Sequence, residues 1–290
     1  MQKSSTFWVF WMSLAFTVVA NADTTVDVAG LCQKIVQKLH SVSLEECQSF
    51  DFDTHKMTSV LNMPLLMKEL KGAANKEVPK VLFIAGIHGD EYTSVSATFK
   101  WLKMLEQHHS GKFHWLFLPL ANPDGLLRDT PQRMNEHGVD LNRNFPPQGQ
   151  DSPSFAFWRA KDLKDPRRYP GPFPVSEPET KAIMAVIDTF KPDVIVSVHA
   201  PYDLLDFDGK AFAPEQLGPL KLKLLGTYPG SLGNYAWLKL NIPVITLELP
   251  HAGIMPSKSD IHDIWEDLVF WLKHEHPKIK SAQLKASSAS

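Results

Sequence analysis

The sequence predicts an α/β layered fold with a largely parallel or mixed sheet. Two observations carry this. Short runs that are apolar without interruption, such as Val81–Ile87 (VLFIAGI) and Val194–Val198 (VIVSV), have the pattern of strands buried on both faces. Segments with helical apolar spacing alternate with them along the chain, which is the order that builds a helix-covered sheet.

Taken from the N-terminus, the first 22 residues differ from the rest. Lys3 precedes an apolar stretch from Phe7 to Ala20 that is short for a membrane span and ends in Ala20-Asn21-Ala22, a small-residue cleavage pattern. Residues 1–22 are therefore expected to be a signal peptide, with a periplasmic or secreted mature chain and no stable membrane anchor after cleavage. An uncleaved anchor is the competing reading. The two cysteines, Cys32 and Cys47, lie 15 positions apart just beyond this point. In an oxidising compartment they read as one disulfide stapling residues 23–55, and two free buried thiols as the alternative.

Leu31, Ile35, Val36 and Leu39 place a short amphipathic helix over about 25–40. Leu44–Phe52 is expected to lead into the first strand, and Asn62-Met63-Pro64 marks a turn. Strand Val81–Ile87 is followed by a helix over Tyr92–Leu105, and Phe113–Leu120 is a further strand, stopped by Asn122-Pro123-Asp124-Gly125. Residues 128–174 are rich in proline and polar groups, a loop long enough to suggest function. Ser176-x-x-Glu179 reads as a capping box opening a helix. Strand Val194–Val198, strand Val244–Leu249 and an amphipathic helix over Ile261–Leu272 complete the series, with a small polar tail over 278–290. One catalytic domain over 56–277 is expected. Formal net charge is −2 over 290 residues with no basic block, which excludes an electrostatic footprint for nucleic acid.

Chemistry-bearing residues sit where strands end. His88 and Glu91 follow the first buried strand directly, and His199 follows Val194–Val198. Ligands of open α/β sheets bind outside the carboxyl ends of strands. Two histidines and a carboxylate form a three-ligand set for catalytic zinc with one position left open. Alone, an H-x-x-E pair is weak, because most of the 12 histidines of such a chain are simply solvated. Glu248 is the most informative single residue: a carboxylate within VITLEL, apolar on both sides, is costly unless it serves a function.

The segment Arg133-Met-Asn-Glu-His-Gly-Val-Asp140-Leu-Asn142-Arg143-Asn-Phe-Pro adds specificity. With His88-x-x-Glu91, Asn122-Pro123-Asp124-Gly125 and His199 in this order, residues 80–250 resemble the zinc carboxypeptidases of the carboxypeptidase A type. That resemblance implies a three-layer α/β/α sandwich with a mixed, mostly parallel central sheet, and one Zn2+ per chain held by His88, Glu91 and His199. It implies that Asp140 accepts a hydrogen bond from His88, a role that fixes a ligand's tautomer; a loop carboxylate that only caps a turn is the alternative. Asn142 and Arg143 match the pair that grips the substrate's terminal carboxylate, for which a planar guanidinium fork is suited. Arg133 matches the arginine that polarises the scissile carbonyl, with Arg128 as rival and a surface ion pair as the alternative. Glu248 matches the general base, and Tyr228 the active-site tyrosine, although its spacing to Gly230-Ser231 is shorter than the family's.

Within the family, the compact catalytic region, Gly138–Pro146, Ser176-Glu-Pro-Glu179 and Pro229-Gly-Ser-Leu-Gly-Asn are similar to the murein peptide amidase A group. This implies a substrate from cell-wall murein, cleaved at the γ-D-glutamyl–diaminopimelate bond. The exported N-terminus and the surroundings of His199-Ala-Pro-Tyr202 depart from that group, and the acidic run Asp203–Asp208 is a candidate contact for a substrate amine. Alternatives are a general carboxypeptidase selecting through the pocket around Leu232, where no charged residue announces a preference, and an inactive wall-peptide binding protein. An aspartoacylase-like deacylase also shares H-x-x-E and a later histidine, and the signal peptide argues against it.

Overall fold

The structure is a computed structural model describing residues 27–74, 77–147, 153–210 and 212–275. The expected signal peptide and the polar tail lie outside these residues. No helix among the described residues is long and apolar enough to cross a membrane.

Eight strands and seven α-helices follow one another along the described chain. The strands are β1 (Lys68–Leu70), β2 (Lys80–Ala85), β3 (His114–Leu118), β4 (Val194–His199), β5 (Leu204–Asp208), β6 (Gln216–Leu217), β7 (Leu220–Lys221) and β8 (Val244–Glu248). The helices are α1 (Val28–Lys38), α2 (Leu44–Ser49), α3 (Tyr92–His108), α4 (Pro123–Leu127), α5 (Pro153–Ala160), α6 (Pro178–Phe190) and α7 (Lys258–His274). Six strands form one sheet in the order β1-β3-β2-β4-β8-β5. Its centre, β3-β2-β4-β8, is parallel, and both edges, β1 and β5, are antiparallel. The sheet is therefore mixed and mostly parallel.

The continuous apolar runs are explained by helices on both faces. Val81, Phe83 and Ala85 of β2 pack in one cluster with Trp101 and Phe99 of α3 and Trp265 and Leu268 of α7. Their neighbours Leu82 and Ile84 pack in a second cluster with Ile183, Val186 and Ile187 of α6. Period-two alternation thus feeds two cores, and the result is three layers. Helix α1 joins the first cluster through Leu31, Cys32 and Ile35, and Cys32 is bonded to Cys47 of α2. Residues 28–52 consequently share a core with the catalytic region.

Three local expectations are corrected. Leu44–Phe52 does not lead into a strand but forms α2, because the Ser43 hydroxyl accepts from Glu46 N at 3.1 Å and Glu45 and Glu46 occupy the first turn. Asn122 does more than stop β3: it caps α4, accepting from Gly125 N at 2.9 Å, with Pro123 in the first turn. Ser176 does not cap α6. The N-cap is Glu177, Pro178 sets the first turn, and the Ser176 hydroxyl instead donates to Glu177 Oε1 at 2.6 Å.

Candidate metal centre and substrate cavity

All three expected ligands emerge at the carboxyl ends of β2 and β4, adjacent parallel strands. Between β2 and the ligands, Gly86 turns the chain at φ +63°, a conformation side chains rarely adopt. At Gly89 a β-carbon would strike the Gly125 carbonyl carbon and Leu126 nitrogen, so the ligand loop lies directly on α4. Asn122 ties these pieces together, its Nδ2 donating to Ile87 O and Arg133 O, each at 3.2 Å.

His88, Glu91 and His199 are all buried and converge. His88 Nδ1 lies 2.7 Å from Glu91 Oε1, His199 Nδ1 lies 3.0 Å from Glu91 Oε2, and the two Nδ1 atoms are 3.2 Å apart. Outer partners assign the ring protons. His88 Nε2 is 3.1 Å from the Asp140 carboxylate, which can only accept, so that nitrogen donates. His199 Nε2 is 3.0 Å from the Ser197 hydroxyl, which can accept its proton. With Ser197 accepting from His199, both Nδ1 lone pairs face the Glu91 carboxylate with no proton between them. A shared cation is the physical answer to that arrangement, and tetrahedral zinc with bonds of about 2.0–2.1 Å spaces its ligands roughly 3.3 Å apart. The donor set fits zinc.

Asp140 is fully buried and serves two purposes that the sequence left as alternatives. Its Oδ1 accepts from His88 Nε2 and, at 3.0 Å, from Asn142 N, capping the 3-10 turn Leu141–Arg143. Oδ2 accepts from Arg133 Nε at 3.0 Å. Burial pushes this carboxyl up, but Arg133 and His88 outweigh it and hold it well below the usual carboxylate range. Arg133 also places Nη1 3.5 Å from Glu91 Oε1. Arg128, its sequence rival, is tied instead to Glu136 at 2.6 Å and does not line the cavity.

A cavity of about 400 Å³ opens over these groups and contains Arg133, Asn142, Arg143, Tyr228 and Glu248 in its wall. Arg143 is 8% exposed, stacks its Cζ 4.6 Å from the Tyr228 ring centre, and donates Nη1 to Asn142 O at 2.7 Å. Its Nε has no partner. Asn142 Oδ1 accepts from Leu232 N at 2.8 Å, which fixes the far wall. Glu248 is 7% exposed, with Oε2 unpartnered, and is the register partner of His199. Burial, reinforced by the charge of Glu91, pushes its carboxyl up to about 8.

Sequence reasoning missed Ser197, although a hydroxyl two residues before a strand-end histidine, on the same face, is a readable signal. It also missed the buried anchor of the Arg133–Arg143 loop: Asn135 Nδ2 donates to Glu177 Oε2 at 2.7 Å and to Glu179 Oε2 at 3.1 Å.

Fold and site together define a mononuclear metallohydrolase centre at the carboxyl edge of a mixed α/β sheet. The zinc carboxypeptidase family profile matches residues 52–208. The chain belongs to the zinc carboxypeptidase family and is a zinc-dependent peptidase. It is 32% identical over 231 residues to murein peptide amidase A of Escherichia coli K12, covering 77% of this chain and 90% of that protein. The crystal structure of murein-tripeptide amidase MpaA from Escherichia coli O157 superposes with a TM-score of 0.51 at 27% identity, covering 75% of this chain and 88% of that one. Carboxypeptidase A from Helicoverpa armigera shares the fold, with a TM-score of 0.60 at 17% identity over 83% of this chain and 70% of that chain.

Proposed function

We propose that this protein is an exported amidase that releases diaminopimelate from murein-derived peptides by cleaving the γ-D-glutamyl–diaminopimelate bond. The observation that carries the reading is the likeness to murein peptide amidase A, which extends over 90% of that protein and 77% of this chain. The leader-like residues 1–22 support export to the periplasm or beyond, where wall peptides arise.

His88, Glu91 and His199 would hold the zinc, with Asp140 and Ser197 fixing the two imidazole orientations. When bound, zinc supplies Lewis acidity that acidifies water, polarises the scissile carbonyl and favours ionised Glu248. Glu248 takes the proton from the attacking water and passes it to the leaving nitrogen. Arg133, steadied by Asp140, donates to the oxyanion that develops on the carbonyl. Asn142 and Arg143 hold the free carboxylate of the residue to be released, Arg143 through its unpartnered edge. Tyr228 keeps the guanidinium flat by stacking on it.

Incubation with L-Ala-γ-D-Glu-meso-diaminopimelate and measurement of free diaminopimelate tests the reading. Release that stops on zinc chelation is expected. Failure to release it, together with removal of C-terminal residues from ordinary α-linked peptides, would assign the chain to general carboxypeptidases instead.

A further inference from the structure

Strand β5 has two different faces. Leu205 and Phe207 are buried in the apolar cluster beside α7, whereas Leu204, Asp206 and Asp208 line the catalytic cavity. Pairing with β8 fixes their order along the wall: Leu204 opposite Glu248, Asp206 opposite Thr246, Asp208 opposite Val244. At about 3.3 Å per residue, Asp206 lies roughly 7 Å and Asp208 roughly 13 Å from the Glu248 row. Both recede from the metal ligands into the cavity.

Neither carboxylate has a cationic partner among the described residues. Asp206 is 6% exposed and accepts from backbone N–H groups alone, Leu225 N at 3.0 Å and that of Phe207. Asp208 has no hydrogen bond, and its carboxylate lies over Gly233 where a β-carbon would collide with it. Burial, followed by the charge of Asp206, pushes the Asp208 carboxyl up to about 7. Two neighbouring carboxylates, Asp206 buried and Asp208 partly so, are costly to ionise unless a ligand supplies the missing charge.

The same cavity holds the opposite pole. Arg143, nine-tenths buried with an unpartnered Nε, awaits an anion near the metal ligands, and Glu248 Oε2 is likewise unpartnered there. An amino acid bearing an α-carboxylate at one end and an ammonium at the end of an aliphatic stem matches both poles. We propose that Asp206 and Asp208 are specificity-determining residues that receive the side-chain ammonium of the C-terminal residue released from the substrate. This rests on reading the cavity as the seat of that residue. The chemistry is shared by lysine and by diaminopimelate, whose distal carbon carries a carboxylate beside the ammonium, and it disfavours side chains that lack an amine.

Two substrate pairs differing in that amine separate this inference from the choice of bond. One pair is γ-D-glutamyl-linked and ends in diaminopimelate or 2-aminopimelate; the other is α-linked and N-blocked and ends in lysine or norleucine. In whichever pair the zinc-loaded enzyme cleaves, the amine-bearing member is expected to lead in kcat/KM by at least about tenfold, mostly through KM. Asp208→Asn and Asp206→Asn each reduce that ratio about tenfold or more, while zinc content and thermal midpoint report folding. Asparagine at 206 keeps the acceptor for Leu225 N, and Asp208 has no bond to lose. A wild-type ratio near one in the cleaved pair, or ratios unmoved by both variants, overturns the inference. Cleavage of the α-linked pair alone would overturn only the murein bond, and the amine preference is then read there.

Discussion

Glu248 stands beside His199 as its register partner on the adjacent parallel strand, both at the carboxyl edge of the sheet. The backbone ladder itself therefore holds the proposed base next to a proposed ligand, and the Tyr202 backbone bonds its carboxylate. Glu248 lines the cavity, and its Oε2 has no partner. Replacement Glu248→Gln keeps the shape and removes the proton acceptor. Turnover is expected to fall by about 10²–10⁴-fold with zinc still bound at one per chain. Steady-state kinetics with metal analysis checks this, and near-normal kcat in the variant would rule Glu248 out as the base.

Arg143 is suited to a carboxylate by geometry as much as by charge. Its guanidinium lies flat on Tyr228 and leaves Nε free, a planar fork that an ammonium cannot reproduce. Arg143→Lys should lower kcat/KM for peptides with a free C-terminus by about tenfold to a hundredfold, chiefly through KM. Peptides amidated at the C-terminus, which give the guanidinium no carboxylate to hold, should lose far less. Equal losses on both would mean that Arg143 supports the cavity wall rather than grips the carboxylate.

The ligand set was legible because each member directly follows a strand that is apolar on both faces, and such strands are the clearest signal a sequence offers. Glu248 was legible for the same reason, as a charge within one of them. Strand β5 escaped because Leu204–Asp208 alternates acid and apolar residues at a sheet edge, where one face meets a polar cavity instead of a helix. That is why the wall around Leu232 looked free of charge in the sequence: its acids arrive from a strand about 25 residues upstream, through pairing with β8. The capping box at Ser176 misled because Pro178 moves the helix start by one residue and Asn144 Nδ2 also donates to the Ser176 hydroxyl, at 2.9 Å. Long-range partners of this kind leave no local periodicity to read.

The Cys32–Cys47 bond joins α1 to α2 across a separation of 15 residues, and both sulfurs lie in the core beneath α3. Closing a loop of that length stabilises by about 3 kcal/mol on the chain-entropy estimate. For a domain of this size the double Cys→Ala variant should melt roughly 6–12 °C lower, at about 2–4 °C per kcal/mol. Differential scanning calorimetry measures the shift. Because neither cysteine lines the cavity, zinc stoichiometry of the folded variant should be retained; an unshifted midpoint would show that packing of Leu31 and Ile35 alone anchors the segment.

Glu179 ties the loop bearing Arg133 and Asp140 to α6, and it is completely buried, accepting from Asn135 Nδ2 and from Val60 N at 3.1 Å each. Burial raises its carboxyl from 4.5 to about 7. The folded state therefore holds a proton that the unfolded chain releases above about pH 4.5. Stability from this group is complete below that value and is lost as pH rises through about 7, a change on the order of 3 kcal/mol. Other raised carboxyls, including Asp208 and Glu248, add slope of the same sign, so the comparison must be between variants. Urea midpoints taken from pH 5 to pH 8 should fall for the wild type and fall less steeply for Glu179→Gln, which cannot ionise. Parallel curves for the two proteins would show that Glu179 stays ionised in the fold, and that the Asn135 anchor is an ordinary charge-assisted hydrogen bond throughout this range.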